Sequence, residues 1–217
     1  KSATVMSWRG MNGGIEAASA GHEVIMCPTS HCYFDYYQAS PNNSPVAFGG
    51  LVTLKNVYSF NPIPNKLLKS DEKYIIGAQG NLWTEYVQTA ERAQYRVLPR
   101  MTALSEVLWS GPGVNSFGDF YKRLNFLKNR FQVLKWNFAP GSFAVEIIGE
   151  YDEKLGLIKI CFSSEKPGEE IRYTLNGKNP DKSSLLYNEP FFIKKSKTIK
   201  ASMFTRNKAD IEYSEKS

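Results

Sequence analysis

Three short apolar runs, each closed by small or polar residues, constrain this chain more than any other feature. They are residues 3–8 (ATVMSW), 23–27 (EVIMC) and 75–82 (IIGAQGNL). Each is too short for a buried helix and has turn signals beside it, so each reads as a buried strand. Helical patterns lie between and after them. Residues 13–20 (GGIEAASA) predict a helix with Gly21 as its C-terminal cap. Residues 89–110 predict another, with Val97, Met101, Leu104 and Leu108 on one face and Pro99 interrupting or kinking it. Gly111-Pro112-Gly113 ends that segment, and residues 117–134 follow as an amphipathic helix burying Phe120, Leu124, Leu127 and Phe131. Buried strands alternating with helices argue for an α/β fold with a parallel sheet, open or closed into a barrel. Residues 29–73, aromatic and proline-rich, form a connection long enough to be a functional loop with short helices of its own.

The pattern changes after residues 137–141 (NFAPG). Short strands are expected at 145–148, 157–162, 171–175, 190–193 and 198–204, separated by turns such as Lys166-Pro167-Gly168 and Asn176-Gly177. That is a small all-β sandwich of about eighty residues, an ordinary size for a domain. The expected domains are therefore an α/β portion over 1–139 and an all-β portion over 140–217.

Composition narrows the function by exclusion. The chain is 42% hydrophobic and 22% charged, as in globular proteins. Its net charge of +6 comes mainly from lysines after Lys154, without the arginine forks or interleaved aromatics of a nucleic-acid groove, so a solvated basic surface is expected and no nucleic-acid partner. Cys27, Cys32 and Cys161 have no CxxC pair and no histidine at zinc spacing; no metal, no cofactor and a reduced Cys27/Cys32 pair are expected. No run is long enough to span a membrane, and residues 1–8 lead straight into a strand without a signal peptide.

The chemistry concentrates at strand ends. Trp83 and Glu85, two apart in an extended segment, point the same way. An indole beside a carboxylate suits a sugar: the ring stacks on the C–H face, and the carboxylate accepts hydroxyl hydrogen bonds. A core tryptophan beside a solvated glutamate is the plainer alternative. Trp8 ends the first strand, and Tyr33-Phe34-Asp35-Tyr36-Tyr37 follows the second. Ligands of parallel α/β proteins bind at the carboxyl ends of strands, so these groups are expected to converge on one pocket for an amphipathic, hydroxyl-rich ligand.

These residues also carry a resemblance. Met6-Ser7-Trp8, residues 18–28 (ASAGHEVIMCP), Tyr33-Phe34-Asp35, residues 80–85 (GNLWTE), Pro99-Arg100-Met101 and residues 103–110 (ALSEVLWS) are similar to the C-terminal part of family 20 glycoside hydrolases, the β-N-acetylhexosaminidases. Residues 171–204, with 171–180 (IRYTLNGKNP), resemble the β-sandwich appended to many such enzymes. The resemblance implies the last three strand–helix units of a (β/α)8 barrel. It implies Trp8 and Trp83 as walls for the acetamido methyl of a terminal N-acetylhexosamine. Tyr33 would take part in catalysis by donating to the acetamido oxygen, Asp35 and Glu85 would bind the C4 and C6 hydroxyls, and Phe48 would stand at the aglycone side. The reaction implied is substrate-assisted, the acetamido oxygen attacking the anomeric carbon to give an oxazolinium. The partners implied are N-acetylhexosamine-containing glycans, and the parent protein would be secreted or periplasmic.

The same resemblance exposes a gap. The family's adjacent Asp-Glu pair, which orients the acetamide and protonates the leaving oxygen, has no match here; Asp71-Glu72 and Asp152-Glu153 read as solvated loop charges. A barrel takes about 250 residues. The chain is therefore expected to be an incomplete hexosaminidase, inactive alone, packing on a missing N-terminal part or a second copy. Two other readings stand beside it: a non-catalytic carbohydrate-binding module, and a two-carboxylate glycosidase using Asp35 and Glu85.

Overall fold

The computed structural model describes residues 2–41, 44–140, 143–204 and, for backbone alone, 214–216. Gly141, at the expected domain boundary, lies outside the described residues. The chain divides into two compact units, Lys1–Gly141 and Ser142–Ser217.

In the first unit, β1 (Val5–Ser7), β2 (Val24–Met26) and β3 (Ile75–Ala78) form a parallel sheet in the order β1-β2-β3. Helix α1 (Asn12–Ser19) makes the crossover from β1 to β2. It ends as the sequence predicts: Gly21 takes φ 79°, its N–H reaches Ala18 O at 2.8 Å, and the His22 N–H reaches Ala17 O at 2.9 Å. These two bonds satisfy carbonyls the helix would otherwise leave open. Only the central strand is well buried. Met6 and Ile76 are exposed, against the expectation of three buried strands, because β1 and β3 are the edges of the described sheet. Ile76 is also the extra residue of an irregularity between Val24↔Ile75 and Ile25↔Gly77. Strand β3 stops at Ala78 rather than Leu82; beyond it Asn81 forms a lone parallel bridge with Tyr33.

The long connection carries α2 (Thr29–Cys32), α3 (Leu54–Tyr58) and a 3-10 turn at Glu72–Tyr74. Thr53 and Asn56 cap α3 reciprocally. The segment expected as one kinked helix over 89–110 is two, α4 (Ala90–Val97) and α5 (Arg100–Ser110), with a cis peptide at Leu98-Pro99. The expected apolar stripe is corrected accordingly. Met101 and Leu108 are exposed, and the face turned inward carries Arg96, Arg100, Ala103, Leu104 and Val107. A stripe counted across Pro99 loses phase at the break. Helix α6 (Phe117–Val133) buries Phe120, Leu124 and Phe131, with Leu127 half-buried. Helix α3 packs on α5, and Tyr58 stacks on Phe120 at 4.5 Å while its hydroxyl donates to Glu106 at 2.8 Å.

In the second unit, two antiparallel sheets share one core. One has the order β4-β5-β8, from β4 (Glu146–Asp152), β5 (Leu157–Ser163) and β8 (Phe191–Ile193); the other has β10-β9-β6-β7, from β6 (Glu170–Thr174), β7 (Leu185–Leu186), β9 (Ile199–Phe204) and β10 (Ser214–Lys216). Alternate residues from both sheets meet in that core: Ile147, Ile160 and Phe162 from one, Ile199, Ala201 and Met203 from the other.

Candidate functional site

The three parallel strands end on one side, and the residue after each faces the same cleft. Trp8 follows β1, Cys27 follows β2 and Gln79 follows β3. The cleft has a volume of about 730 Å³, ample for a pyranose and a neighbouring group. Trp8, Tyr33, Asp35, Phe48, Trp83 and Glu85, the residues singled out from the sequence, all line it. Met6, Thr29, Tyr36, Gln79 and Asn81 complete the lining with Cys27. The stretch after β3 contributes alternate residues, 79, 81, 83 and 85, so the two-residue period that pairs Trp83 with Glu85 also identifies Gln79 and Asn81.

Backbone bonds hold these side chains in place. The Gln79 N–H donates to Met26 O at 3.1 Å, the Asn81 N–H to Cys32 O at 2.7 Å, and the Phe34 N–H to Asn81 O at 2.7 Å. The segment after α2 is thereby stitched to the segment after β3, placing Tyr33 and Asp35 opposite Trp83 and Glu85. Aromatic rings run along the cleft from there: Tyr33 tilts against Tyr36 at 5.5 Å, and Tyr36 lies parallel to Phe48 at 6.2 Å. Gly50, with φ 63°, lies against the Tyr36 ring, where a Cβ would come within 2.3 Å of Cδ2.

The polar groups are poised unequally. Tyr33 is buried but for its cleft-facing edge, and desolvation raises its phenol above the ordinary value. The Trp83 indole N–H, which can only donate, opposes that rise by hydrogen-bonding the phenol oxygen. Asp35 is 5% exposed, and its Oδ1 has no protein partner. Burial raises its carboxyl and Glu85 adds to the rise, while its own backbone N–H and, after it, Arg100 and Arg96 pull it back. A buried acceptor without a partner, on a residue that lines a cleft, is one a ligand hydroxyl or amide can satisfy. Trp83 is 57% exposed and Phe48 60%, leaving broad apolar surface for a ring to cover.

Other polar residues do not line the cleft. Arg100 is fully buried and donates to backbone carbonyls, and Arg9 lies over the Trp8 ring at 4.8 Å. His31 packs on Phe60 at 5.2 Å and His22 meets Ala3 O at 3.2 Å. Asp71-Glu72 sits before β3, at the end of the sheet away from the cleft, and Asp152-Glu153 lies in the β4–β5 hairpin of the second unit. The three cysteines are free. Among the described residues, no group of three or more His, Cys, Asp or Glu side chains could hold a metal, and no helix is long and apolar enough to cross a membrane.

Comparison with known proteins agrees with this geometry. Residues 1–112 match the profile of glycosyl hydrolase family 20, catalytic domain, and residues 160–216 match that of an Fn3 associated domain. A beta-hexosaminidase of Porphyromonas gingivalis is 39% identical over 87% of this chain, and a Beta-N-acetylhexosaminidase of Cellulomonas fimi 29% identical over 51%. The match spans 24% of the first relative's length and 22% of the second's. Among solved structures, a GH20 exo beta-N-acetylglucosaminidase of Vibrio harveyi superposes with TM-score 0.56 at 24% identity, covering 62% of this chain and 21% of that one. An N-acetyl-beta-hexosaminidase of Streptomyces plicatus gives 0.56 at 23%, covering 65% and 30%. These likenesses indicate a TIM-barrel-type catalytic domain, of which the parallel sheet and its helices are a part. The profile match covers more than half of the sequence, and the chain belongs to glycosyl hydrolase family 20.

Proposed function

We propose that this chain forms the sugar-holding side of an exo-β-N-acetylhexosaminidase active site, built on the last three strand–helix units of a (β/α)8 barrel and followed by a β-sandwich. One observation carries the reading: residues from three strand ends and a long loop meet in a single cleft with two tryptophans, a buried phenol and two carboxylates. In this reading Trp8 and Trp83 enclose the acetamido methyl. Tyr33, held by Trp83 and Asn81, donates to the acetamido oxygen and aims it at the anomeric carbon. Asp35 and Glu85 accept from the sugar's outer hydroxyls, and Phe48 meets the group beyond the scissile bond. Substrate-assisted attack needs the acetamide curled beneath the ring, and holding a near-attack geometry can be worth several kcal/mol.

The adjacent carboxylate pair that would complete the reaction is, in this proposal, supplied by sequence outside these 217 residues. Neither of the chain's two Asp-Glu pairs lines the cleft, Asp71-Glu72 preceding β3 and Asp152-Glu153 lying in the second unit, which supports that assignment. Calorimetric titration of the chain tests the reading. N-acetylglucosamine should bind and glucose should bind at least tenfold more weakly, while a chromogenic N-acetylglucosaminide should not be turned over. Equal binding of the two sugars would remove the acetamide pocket, and robust turnover would remove the claim that the acid lies elsewhere.

The raised carboxyl of Asp35 beside Glu85 favours one second reading, a conventional acid–nucleophile pair. A thiazoline mimic of the oxazolinium separates the two in the longer enzyme, inhibiting strongly under the first reading and weakly under the second.

A further inference from the structure

Among the described residues two arginines are the largest fully buried side chains, and neither has a described carboxylate bonded to it. Arg100, in the first turn of α5, donates through Nη1 to Val52 O at 2.8 Å and through Nη2 to Phe34 O at 2.5 Å and Arg96 O at 2.7 Å. Its guanidinium lies over the Phe34 ring at 5.0 Å. Arg96, one helical turn earlier, donates through Nη2 to Pro45 O at 3.0 Å and also to Val46 O, and lies near the Tyr37 ring at 5.9 Å. Gln38 joins them, its amide donating to Tyr95 O at 2.7 Å. Every one of these contacts outside the helices falls on residues 34–52, the segment that carries Asp35, Tyr36 and Phe48 into the cleft.

Charge is left over. A buried cation is costly unless something compensates it, and carbonyl dipoles do so only in part. Among the described residues, Arg96 Nε and Nη1 and Arg100 Nε have no partner, and the carboxylate whose field reaches both guanidinium groups is Asp35. Asp35 in turn lines the cleft and keeps its buried Oδ1 without a partner among the described residues.

We propose that Arg96 and Arg100 are positioning residues of the sugar site: they pin the 34–52 loop by its main-chain carbonyls and so fix the place of the buried Asp35 as a hydroxyl acceptor. They touch no substrate. The charged and titratable groups acting on Asp35 are Glu85 from the stretch after β3, Arg96 from α4, Arg100 from α5 and, through its own titration, Tyr33 from its own loop. Glu85 disfavours the carboxylate and the two arginines favour it, so removing either arginine shifts the balance toward the neutral acid.

The hydroxyl-acceptor clause rests on the proposed sugar site, but the test needs no sugar. The titration of Asp35 is followed by carbon-detected NMR on the 217-residue chain. In the wild type the carboxyl should be ionised at pH 7. In Arg96→Met and Arg100→Met its titration should move upward. In Arg100→Lys, which keeps a charge but loses the fork, the titration should stay near wild type while the amide signals of residues 34 and 52 shift. A wild-type Asp35 still protonated at pH 7 overturns the proposal without recourse to any variant. So does an unmoved titration in either folded Met variant. If the titrations move as expected but N-acetylglucosamine does not bind, the positioning role stands and the sugar reading fails.

Discussion

Replacing Gly80 with alanine isolates the packing beneath the cleft. Gly80 has a backbone conformation open to any residue, so the cost of a side chain there is steric. An added Cβ would lie 2.5 Å from Phe34 Cε2 and 3.0 Å from Cζ, where ordinary contact begins at 3.4 Å. The ring would have to retreat by about 1 Å in a core packed too densely to absorb it. Phe34 cannot retreat freely: it is fully buried, the Arg100 guanidinium lies over its ring, and its own carbonyl is bonded to that arginine. Overpacking of this kind costs about 1–3 kcal/mol, offset by about 0.4–1 kcal/mol from the stiffer unfolded chain. The net, about 1–2 kcal/mol, corresponds to a fall in Tm of roughly 3–8 °C for a unit of this size. Thermal melts followed by circular dichroism measure it. Gly118→Ala is the control: it lies in α6 with the nearest atom 3.8 Å away, and it should leave Tm unchanged or raise it slightly. A Gly80→Ala protein that melts within about 1 °C of wild type would refute the claim that Phe34 is locked between Gly80 and Arg100.

Trp83→Ala and Trp8→Ala should each weaken N-acetylglucosamine binding about tenfold or more, the equivalent of losing about 1.4 kcal/mol of aromatic contact, read by calorimetry; unchanged affinity in both would remove the pocket walls. Asp35→Asn should weaken sugar binding yet stabilise the fold at pH 7. The native carboxyl titrates above its unfolded value, chiefly through burial, so the folded state holds the proton longer and stability falls as pH rises through that window. Denaturation of the two proteins should converge at low pH, and a variant less stable than wild type at every pH would contradict the sign. Cys27 and Cys32 are buried and burial raises both thiols, Cys32 to about 12; iodoacetamide at pH 8 should label the less buried Cys161 first, as mass spectrometry would detect. Prompt alkylation of Cys32 in the native protein would contradict the packing around α2.

The parallel strands and helix α1 follow directly from local patterns, because apolar runs and a glycine cap act within a few residues. The helix break at Pro99 shows where such patterns lose hold. An apolar stripe drawn through Val97, Met101, Leu104 and Leu108 joins two helices whose faces are not continuous. The true inward face begins with Arg96 and Arg100, which any hydropathy pattern assigns to solvent. Their burial depends on carbonyls some fifty residues away in sequence, at Phe34, Pro45, Val46 and Val52, and no local rule reaches that far. In the cleft, Trp83 and Glu85 stood out by chemical type, whereas Gln79 and Asn81 lie on the same alternation but carry amides that any loop could display. Tyr36 came with the aromatic run expected there, whereas Cys27 joined the lining through tertiary placement alone.

A guanidinium that grips main-chain oxygens asks nothing of the side chains it anchors. Every residue type offers the same carbonyl, so the loop over residues 34–52 can exchange its outward-facing groups without loosening its attachment to α4 and α5. Substitutions at Phe48 or its neighbours would therefore reshape the rim of the cleft while leaving the loop's path intact. The two arginines separate the evolution of what the loop displays from the physics of where the loop sits.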